Sequence, residues 1–241
     1  INIKYHSNPI TCTDEHPFYV RQKMDDLKFN NPEWIQASKI NKNHYFGMKI
    51  NDNNVIPEFS FEMKINITTS NVIKITLDNP DMWFMMGYFV GDGWIEESIR
   101  KDGRIKNIIR FAINNNDEEY VVSRINNIFK ITDKKCPTGK CKKFGCSNFV
   151  WFNILKQFGK YAHGKLIPEW VQDAPIEYVQ EFINGYMTAD GCINVSNDKH
   201  RITTVSYNLA YGTQRLFLKL GHIFGISKSI KPPTCVIEGR T

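Results

Sequence analysis

The sequence lacks any apolar run of the roughly 18 residues that a membrane-spanning helix requires, and no secretory leader opens it. Cysteine is sparse, with six residues and none of the paired spacings that mark a secreted disulfide framework. These absences argue against a membrane anchor and against a small disulfide-stapled fold. They favour an intracellular protein whose thiols are reduced.

Basic and acidic residues are equal in number in the first third of the chain, whereas basic residues are in excess after it. Residues 1–80 contain nine Lys or Arg and nine Asp or Glu, whereas residues 81–241 contain 22 and 16. The whole net charge of +6 therefore lies in the second segment. Such asymmetry indicates a polyanionic partner for that segment, although a plain solvated face is the alternative.

One stretch of the sequence occurs twice. Residues 84–95 and 182–193 share the pattern Phe-x-x-Gly-Tyr-x-x-small-Asp-Gly-x-Ile. The acidic residues of the two copies, Asp92 and Asp190, are 98 positions apart. An unrelated helix that ends in an Asp-Gly turn would explain one copy, but a match at all the fixed positions favours two similar half-domains.

Each copy predicts an apolar helix of about three turns that ends at glycine. Gly87 and Gly91 are four residues apart, as are Gly185 and Ala189, so small residues share one face of each helix. Faces of this kind allow two helix backbones to approach closely. We therefore expect the two helices to pack against each other through these positions.

The acidic residue at the end of each predicted helix is unusual. A carboxylate there faces the negative end of the helix dipole, at a cost of roughly 0.3–1 kcal/mol. If the helices pair in parallel, Asp92 and Asp190 also repel each other unless a cation lies between them. A hard divalent ion such as Mg²⁺ is bound by one or two carboxylates together with phosphate oxygens.

The two copies resemble the paired motifs of the LAGLIDADG homing endonucleases, in the single-chain form that contains two motifs. The last acidic position of the family motif falls on Asp92 and Asp190. Val90 and Thr188 stand where the family has an inner, non-essential Asp. The resemblance implies Mg²⁺-dependent hydrolysis of both strands of a long duplex site. The implied metal ligands are Asp92, Asp190, Gly91 and Ala189.

Lys165 lies in the segment Gly-Lys-Leu-Ile-Pro, 25 residues before Asp190. The resemblance implies that Lys165 is catalytic, by orienting the attacking water or stabilising phosphate charge. An ordinary linker lysine is the alternative interpretation.

The basic residues of the two predicted hairpins are candidate DNA contacts, since an antiparallel ribbon fits the major groove. Taken singly, each is more typical of a phosphate contact or a solvated side chain than of a base reader. The candidates are Arg100, Lys101, Arg104, Lys106, Arg110, Lys199 and Arg201.

Each motif is followed by a hairpin, a helix and a basic segment. In the first half we predict a helix over 117–129, a basic segment over 130–146 and a strand over 147–152. In the second half the hairpin spans 192–206 and the helix 209–224. Only 51 residues follow the second Asp, against about 70 in the first half. We expect the second half to be short by one or two strands and a closing helix.

Residues 1–80 predict mostly short strands, with a short helix over 32–40 that turns Trp34 inward. The run Thr-Asp-Glu-His-Pro-Phe at 13–18 resembles a conserved block of inteins, the self-splicing Hint family. The resemblance implies that Thr13 and His16 lie beside the N-terminal splice junction, where the imidazole protonates the scissile amide nitrogen. A surface histidine in a turn is the alternative.

Inteins begin with Cys or Ser and end in His-Asn, whereas this sequence begins at Ile1 and ends in Gly-Arg-Thr. We therefore expect no splicing from this sequence alone. The missing residues would come from further sequence or from a complementary intein fragment.

The predicted fold class is α+β. A pseudo-twofold αββαββα LAGLIDADG endonuclease domain is expected over 81–241, with half-repeats at about 82–165 and 180–241. Part of an all-β Hint domain is expected over 1–80. The predicted function is that of a site-specific double-strand DNA endonuclease of intein homing. Two alternatives remain: a cleavage-inactive DNA- or RNA-binding LAGLIDADG protein, or protein splicing only. The predicted partners are double-stranded DNA with a long asymmetric site and the host (extein) protein, with no membrane.

Overall fold

The computed structural model describes residues 10–64, 70–99, 103, 105–134, 141–194 and 199–229. Its contacts divide the chain into two compact units. One unit comprises the described residues of 1–50 and of 223–241, and the other comprises those of 51–222. Within the described part of the chain, every helix is too short or too polar to cross a bilayer.

The first unit is a small antiparallel sheet built around its longest strand. β1 pairs with each of the other three strands. Among the described residues of this unit, Val20 alone is buried. The strands are β1 (Pro17–Asp25), β2 (Lys28–Phe29), β3 (Glu33–Gln36) and β4 (His44–Phe46).

The predicted helix over 32–40 is wrong. β3 and a 3₁₀ turn over Ala37–Lys39 occupy this segment. Trp34 lies opposite Tyr19 of β1, with the two ring centroids 5.2 Å apart, and it is 69% exposed rather than turned inward. Cross-strand hydrogen bonds and an aromatic pair outweigh the weak helix signal of the proline.

The second unit begins with the hairpin of β5 (Glu58–Lys64) and β6 (Ser70–Thr76). The ring of Phe59 packs 5.2 Å from that of Trp170, which belongs to the same unit. The predicted N-terminal domain, with its boundary near residue 80, includes this hairpin. The compact units divide at residue 50, and the predicted boundary between domains stays a prediction.

Two helices form the centre of the second unit, α1 (Pro80–Asp92) and α6 (Ile176–Asp190). The side chain of Asn79 caps α1 by accepting a hydrogen bond from the backbone N–H of Asp81 at 2.9 Å, and Pro80 follows at the first helical position. Every residue from Trp83 to Val90 is buried. A helix that is buried on all sides is a central packing element rather than an amphipathic surface helix.

The first half continues α1 with a sheet in the order β7, β8, β10, β9 and two helices. One sheet face packs inward through Ile109, Phe111 and Ile113, which are fully buried. The elements are β7 (Gly93–Ile99), β8 (Ile105–Asn114), α2 (Glu118–Asn126), β9 (Thr132–Lys134), β10 (Cys141–Cys146) and α3 (Phe149–Leu155).

The predicted strand over 147–152 is wrong, because α3 occupies this segment. Asn148 caps the helix by accepting a hydrogen bond from the backbone N–H of Trp151 at 3.1 Å. Four of the seven α3 residues are buried at helical spacing. The adjacent strand is β10 instead, which lies in the predicted basic segment over 130–146. The helix predicted over 117–129 is confirmed as the shorter α2.

The second half contains a shorter hairpin than the first. β11 and β12 pair from Gly191 with Ile202, in the position where β7 and β8 pair Gly93 with Phe111. Among the described residues, β12 pairs only with β11. The elements that follow α3 are α4 (Tyr161–Gly164), α5 (Glu169–Asp173), β11 (Gly191–Asn194), β12 (Lys199–Ile202) and α7 (Tyr207–Lys219), with α6 between α5 and β11.

Candidate active site

The backbones of α1 and α6 touch at two glycines. A Cβ added to Gly87 would overlap the carbonyl oxygen of Phe182 and lie 2.9 Å from the backbone nitrogen of Tyr186. A Cβ added to Gly185 would overlap the carbonyl oxygen of Phe84 in the same way. The contact is therefore reciprocal, and only glycine allows it at either position. The predicted helix pairing through small residues is present.

The acidic ends of the two helices lie together. A Cβ on Gly91 would be 3.3 Å from both Cγ and Oδ2 of Asp190, so that carboxylate lies against the last turn of α1. Asp92 follows directly and is partly buried, whereas Asp190 is more exposed. The two helices thus end side by side, as a parallel pair must for their acids to meet.

The electrostatics of the pair agree with this proximity. Burial, and after it the charge of Asp190, raises the pKa of Asp92 to about 6, while Lys165 acts in the opposite direction. Burial likewise raises the pKa of Asp190, and Lys165 again opposes the shift. Both carboxylates are therefore harder to ionise than a free aspartate, because burial disfavours the charged form more than the Lys165 ammonium favours it.

The side chain of Lys165 caps the C-terminal end of α1. Its Nζ donates to the carbonyl oxygens of Val90 at 2.5 Å, Gly91 at 3.0 Å and Gly93 at 3.1 Å, with a longer bond to that of Phe89. The last carbonyls of a helix have no partner within the helix and form the negative end of its dipole. An ammonium there satisfies both needs.

The location of Lys165 bears on its predicted role. The side chain lies beside both acids, since each of them raises its pKa against the larger lowering effect of burial. Its donors, however, are directed at backbone carbonyls. Gly91, a predicted metal ligand, gives its carbonyl oxygen to this lysine. Ser206 fixes the segment from the second half by donating its hydroxyl to the Lys165 carbonyl oxygen at 2.5 Å.

The donor set fits a hard divalent cation. Two carboxylates that are held together by the fold, with raised pKa values, form an acidic centre that a cation would stabilise. Mg²⁺ prefers such oxygen donors and takes its remaining ligands from water and phosphate. Within the described residues there is no group of three or more His, Cys, Asp or Glu side chains that would form a closed metal site. Any metal held here would keep open positions for substrate.

A cavity of about 410 Å³ opens beside Asp190. Trp94 of β7 and the segment that contains Tyr161 and Lys165 line one part of its wall. Thr203 and Thr204 of the second half line another part. The acidic centre is therefore accessible from the side of the two hairpins.

Two of the predicted DNA contacts lie on one sheet face. Lys106 and Arg110 alternate with the buried residues Ile109 and Phe111 of β8, so they face away from the core. Arg201 is exposed on β12. Arg100, Lys101 and Arg104 lie outside the described residues, as does the side chain of Lys199.

Three further residues lie on this outer face, and none of them is among the predicted DNA contacts. Lys143 of β10 pairs with Ala112 and shares the face with Arg110. Trp94 and Glu96 of β7 lie there as well. The alternation of Lys143 with buried Phe144 indicates that Lys143 faces away from the core. This alternation identifies the outer face only once β10 is known to pair with β8.

The two predicted splicing residues belong to the other compact unit. Thr13 and His16 are exposed and enclose a turn in which the His16 backbone N–H donates to the Thr13 carbonyl oxygen at 3.1 Å. The His16 ring packs 5.0 Å from that of Phe18. The turn agrees with the predicted local structure, and the role of the two side chains stays a prediction.

Two curated proteins contain segments similar to most of this chain. One is the ribonucleoside-diphosphate reductase NrdEB subunit alpha of Bacillus subtilis (strain 168), 25% identical over 229 residues. The other is the probable translation initiation factor IF-2 of Methanocaldococcus jannaschii, 27% identical over 158 residues. These alignments cover 88% and 62% of this chain. The chain spans only 18% and 13% of the lengths of these relatives.

Solved structures provide further similarity. I-DmoI in complex with DNA and Mn matches with a TM-score of 0.48 and 13% identity, over 60% of this chain and 79% of that one. The LAGLIDADG meganuclease I-AabMI bound to uncleaved DNA matches with a TM-score of 0.32 and 13% identity, over 52% of this chain and 64% of that one. A family model described as a LAGLIDADG-like domain matches residues 177–234, from α6 through α7. The segment 177–234 is therefore similar to a LAGLIDADG-like domain.

Proposed function

We propose that the chain is a site-specific endonuclease that hydrolyses both strands of duplex DNA with Mg²⁺. The observation that carries this proposal is the juxtaposition of Asp92 and Asp190 at the ends of two helices that touch through Gly87 and Gly185. No simple structural role explains why two acids are held together where each is harder to ionise and each faces a helix dipole unfavourably. Cation binding and phosphodiester chemistry do explain it.

The chain's own residues would perform the positioning. Asp92 and Asp190 would hold the metal, which when bound polarises phosphate oxygens and lowers the pKa of an attacking water. The pseudo-twofold helix pair presents one acid for each half, which suits two strands of opposite polarity. Lys165 keeps the C-terminal end of α1 closed and limits the repulsion between the acids.

The sheet of the first half would bind the duplex. Lys106, Arg110 and Lys143 share its outer face, next to the accessible side of the acidic centre. An antiparallel ribbon fits the major groove, and basic side chains neutralise the adjacent phosphates. The second hairpin would extend the contact in the opposite direction through Arg201, which gives a long site whose two halves differ in sequence.

A plasmid assay tests this function. The substrate carries the uninterrupted host sequence, made by joining the coding DNA from either side of the element that encodes this chain. Incubation with Mg²⁺ should convert the supercoiled plasmid to linear form, and EDTA should prevent it. A matched plasmid that retains the element at the junction should stay intact. Failure to nick or linearise the uninterrupted site, with intact and folded protein, would refute the nuclease.

A cleavage-inactive DNA- or RNA-binding protein is the second candidate. It is favoured by one observation, that the Lys165 ammonium donates to backbone carbonyls rather than standing free for a phosphate. Binding to the uninterrupted site without any metal-dependent nicking is the outcome that would select it.

The chain is further proposed to be part of an intein. Similar segments occur inside a nucleotide reductase and a probable translation factor, where they make up 18% and 13% of proteins with unrelated names. A segment shared by unrelated hosts is most simply an inserted element. Within the described residues of 10–50, Val20 alone is buried, so these residues form little core among themselves. A complementary intein fragment is the partner proposed for this unit.

Thr13 and His16 are assigned to the N-terminal splice junction on this proposal. Expression of the complete host gene should give a ligated host (extein) protein and a free intein, measured by intact-protein mass spectrometry. His16→Ala should leave most of the precursor uncleaved, because the scissile amide nitrogen loses its proton donor. His44, a half-buried residue of β4, provides a second histidine for comparison through His44→Ala. Equal splicing by both variants would contradict the assignment.

A further inference from the structure

One arginine on the outer sheet face is held by three neighbours. Arg110 donates from Nε to Oε2 of Glu96 at 3.2 Å. The second oxygen of the same carboxylate, Oε1, accepts from the indole Nε1 of Trp94 at 2.9 Å. In the register of β7 and β8, Trp94 lies directly opposite Arg110 and Glu96 lies opposite Ile108. The carboxylate therefore bridges diagonally and is itself oriented by the indole.

The third neighbour is a glycine. Gly145 of β10 lies opposite Arg110 on the other side of β8. A Cβ there would come within 2.6 Å of the Arg110 Nη1 and 3.1 Å of its Cδ. Glycine in a strand interior weakens the strand and commonly marks a place where another group approaches closely. Here that group is the arginine side chain, which passes over Gly145 and is only 17% exposed.

This arrangement exceeds what a surface ion pair needs. An exposed pair contributes little to stability and leaves both side chains free to move. The aliphatic part of the Arg110 side chain instead lies over a glycine. Its Nε donates to the Glu96 carboxylate, whose other oxygen accepts a hydrogen bond from the Trp94 indole. Within the described residues the Nε bond is the one hydrogen bond of this guanidinium, so neither Nη group has a hydrogen-bond partner there. Two parallel N–H donors match O6 and N7 of guanine.

The position of the cluster relates it to the acidic centre. Trp94 follows Asp92 by two residues and lines the cavity that contains Asp190. A base contacted by Arg110 would therefore lie close to the cleaved phosphates and not at the outer end of the site.

We propose that Arg110 reads a guanine in the major groove near the centre of the target, and that Glu96 is the positioning residue that holds it in the reading geometry. The proposal rests on the proposed function, because it assumes that this sheet face binds duplex DNA. Glu96 touches the reading residue and not the base. Lys106, on the same face but without such a clamp, contacts phosphate only.

Selection of bound duplexes from a randomised library tests the proposal, with Ca²⁺ in place of Mg²⁺ and with the full chain. The wild-type protein should select a guanine at one position near the centre of its site. Arg110→Gln should lose that preference by about 5- to 100-fold and shift it towards adenine, since a glutamine amide pairs with N6 and N7 of adenine. Arg110→Lys keeps the charge but lacks the two-donor fork, so it should lose the preference without the shift.

Glu96→Gln separates positioning from a structural role. Loss of the charged partner should reduce the guanine preference several-fold while overall affinity stays equal or increases, because one negative charge is removed next to DNA. Lys106→Gln is the matched control, with weaker binding to all sequences and an unchanged preference. Circular dichroism establishes that each variant is folded.

The outcomes are distinguishable. A guanine preference that survives in Arg110→Lys and Arg110→Gln overturns the assignment of the reader. A preference that Glu96→Gln leaves unchanged overturns the positioning role. If the wild-type protein selects no sequence at all, the DNA-binding part of the proposed function fails and the inference fails with it.

Discussion

Asparagine at Asp92 or Asp190 is expected to reduce DNA cleavage by at least about 10³-fold, equivalent to about 4 kcal/mol of barrier. The amide keeps the shape of the side chain but loses the charge that holds a divalent cation, and metal polarisation contributes several kcal/mol to phosphodiester hydrolysis. DNA binding should persist, because the basic sheet face is untouched. The measurement is the rate of nicking and linearisation of the uninterrupted-site plasmid in Mg²⁺, beside a gel-shift assay on the same site.

Glu119→Gln is the matched control for this substitution. Glu119 is an exposed carboxylate on α2, and its loss changes the net charge by the same amount. It should leave both nicking and binding unchanged. Undiminished nicking by both the Asp92→Asn and Asp190→Asn variants would contradict the assignment of the two acids.

The same Asp92→Asn substitution should stabilise the metal-free protein at neutral pH. The pKa of Asp92 is raised to about 6 in the folded state, whereas an unfolded aspartate has a pKa of about 3.9. The folded protein thus binds this proton more tightly, and the stability that it contributes is lost as pH rises from about 4 through about 6. After a discount for partial exposure, ionised Asp92 costs about 1–2 kcal/mol at pH 7.5.

Urea unfolding in EDTA at pH 5 and pH 7.5 measures this effect. The wild-type midpoint should fall as the pH rises, and the Asp92→Asn midpoint should fall less and lie above the wild type at pH 7.5. When Mg²⁺ replaces EDTA, the midpoint of the wild type should rise and that of Asp92→Asn should not. Parallel pH profiles for the two proteins would show that the Asp92 carboxyl is not perturbed by burial and Asp190.

Alanine at Gly87 or Gly185 is expected to lower the Tm by about 6–12 °C, which corresponds to about 3 kcal/mol for a chain of this size. The added Cβ would overlap a backbone carbonyl oxygen of the facing helix, at Phe182 or Phe84. A backbone atom cannot move aside as a side-chain end can, so the two helices must separate. Separation would also move the acids apart, so cleavage should fall with stability.

Gly164→Ala is the control for the helix glycines. A Cβ on Gly164 meets no atom within 4 Å, so its Tm should stay within about 2 °C of the wild type, as is usual for an open surface position. Thermal unfolding followed by circular dichroism measures all three variants. Equal Tm values for Gly87→Ala and Gly164→Ala would mean that the two helix backbones are not in contact.

The acidic centre was predictable because its determinants are local. A glycine four residues before another small residue identifies the contacting face of a helix, and the duplicated motif implies that the two faces meet. Tyr161 illustrates the opposite case. It is a non-glycine residue with a φ of 59°, in the wall of the cavity, and nothing in its local sequence indicates this conformation.

The strands around the site were harder to predict. The sequence of residues 141–146 indicates only a basic segment, yet these residues form the third strand of the sheet because Phe144 packs in the core beside Phe111. Residues 149–155 contain the β-favouring Phe, Val and Trp, yet they are helical because Asn148 caps them and their apolar side chains pack at helical spacing. In both segments, long-range strand pairing and burial determined the secondary structure, although the local composition favoured a different one.

The sequence by itself determined the duplicated helices, the two acids at their ends and the excess of positive charge in the same part of the chain, since each depends on residue type and short-range spacing. The tertiary structure alone decided what Lys165 contacts and how Arg110 is held. Lys165 caps a helix that ends more than 70 residues before it, and Arg110 depends on Glu96 and Gly145 from two other strands. Contacts between residues so distant in the chain come from the way the elements pack, and no local pattern encodes them.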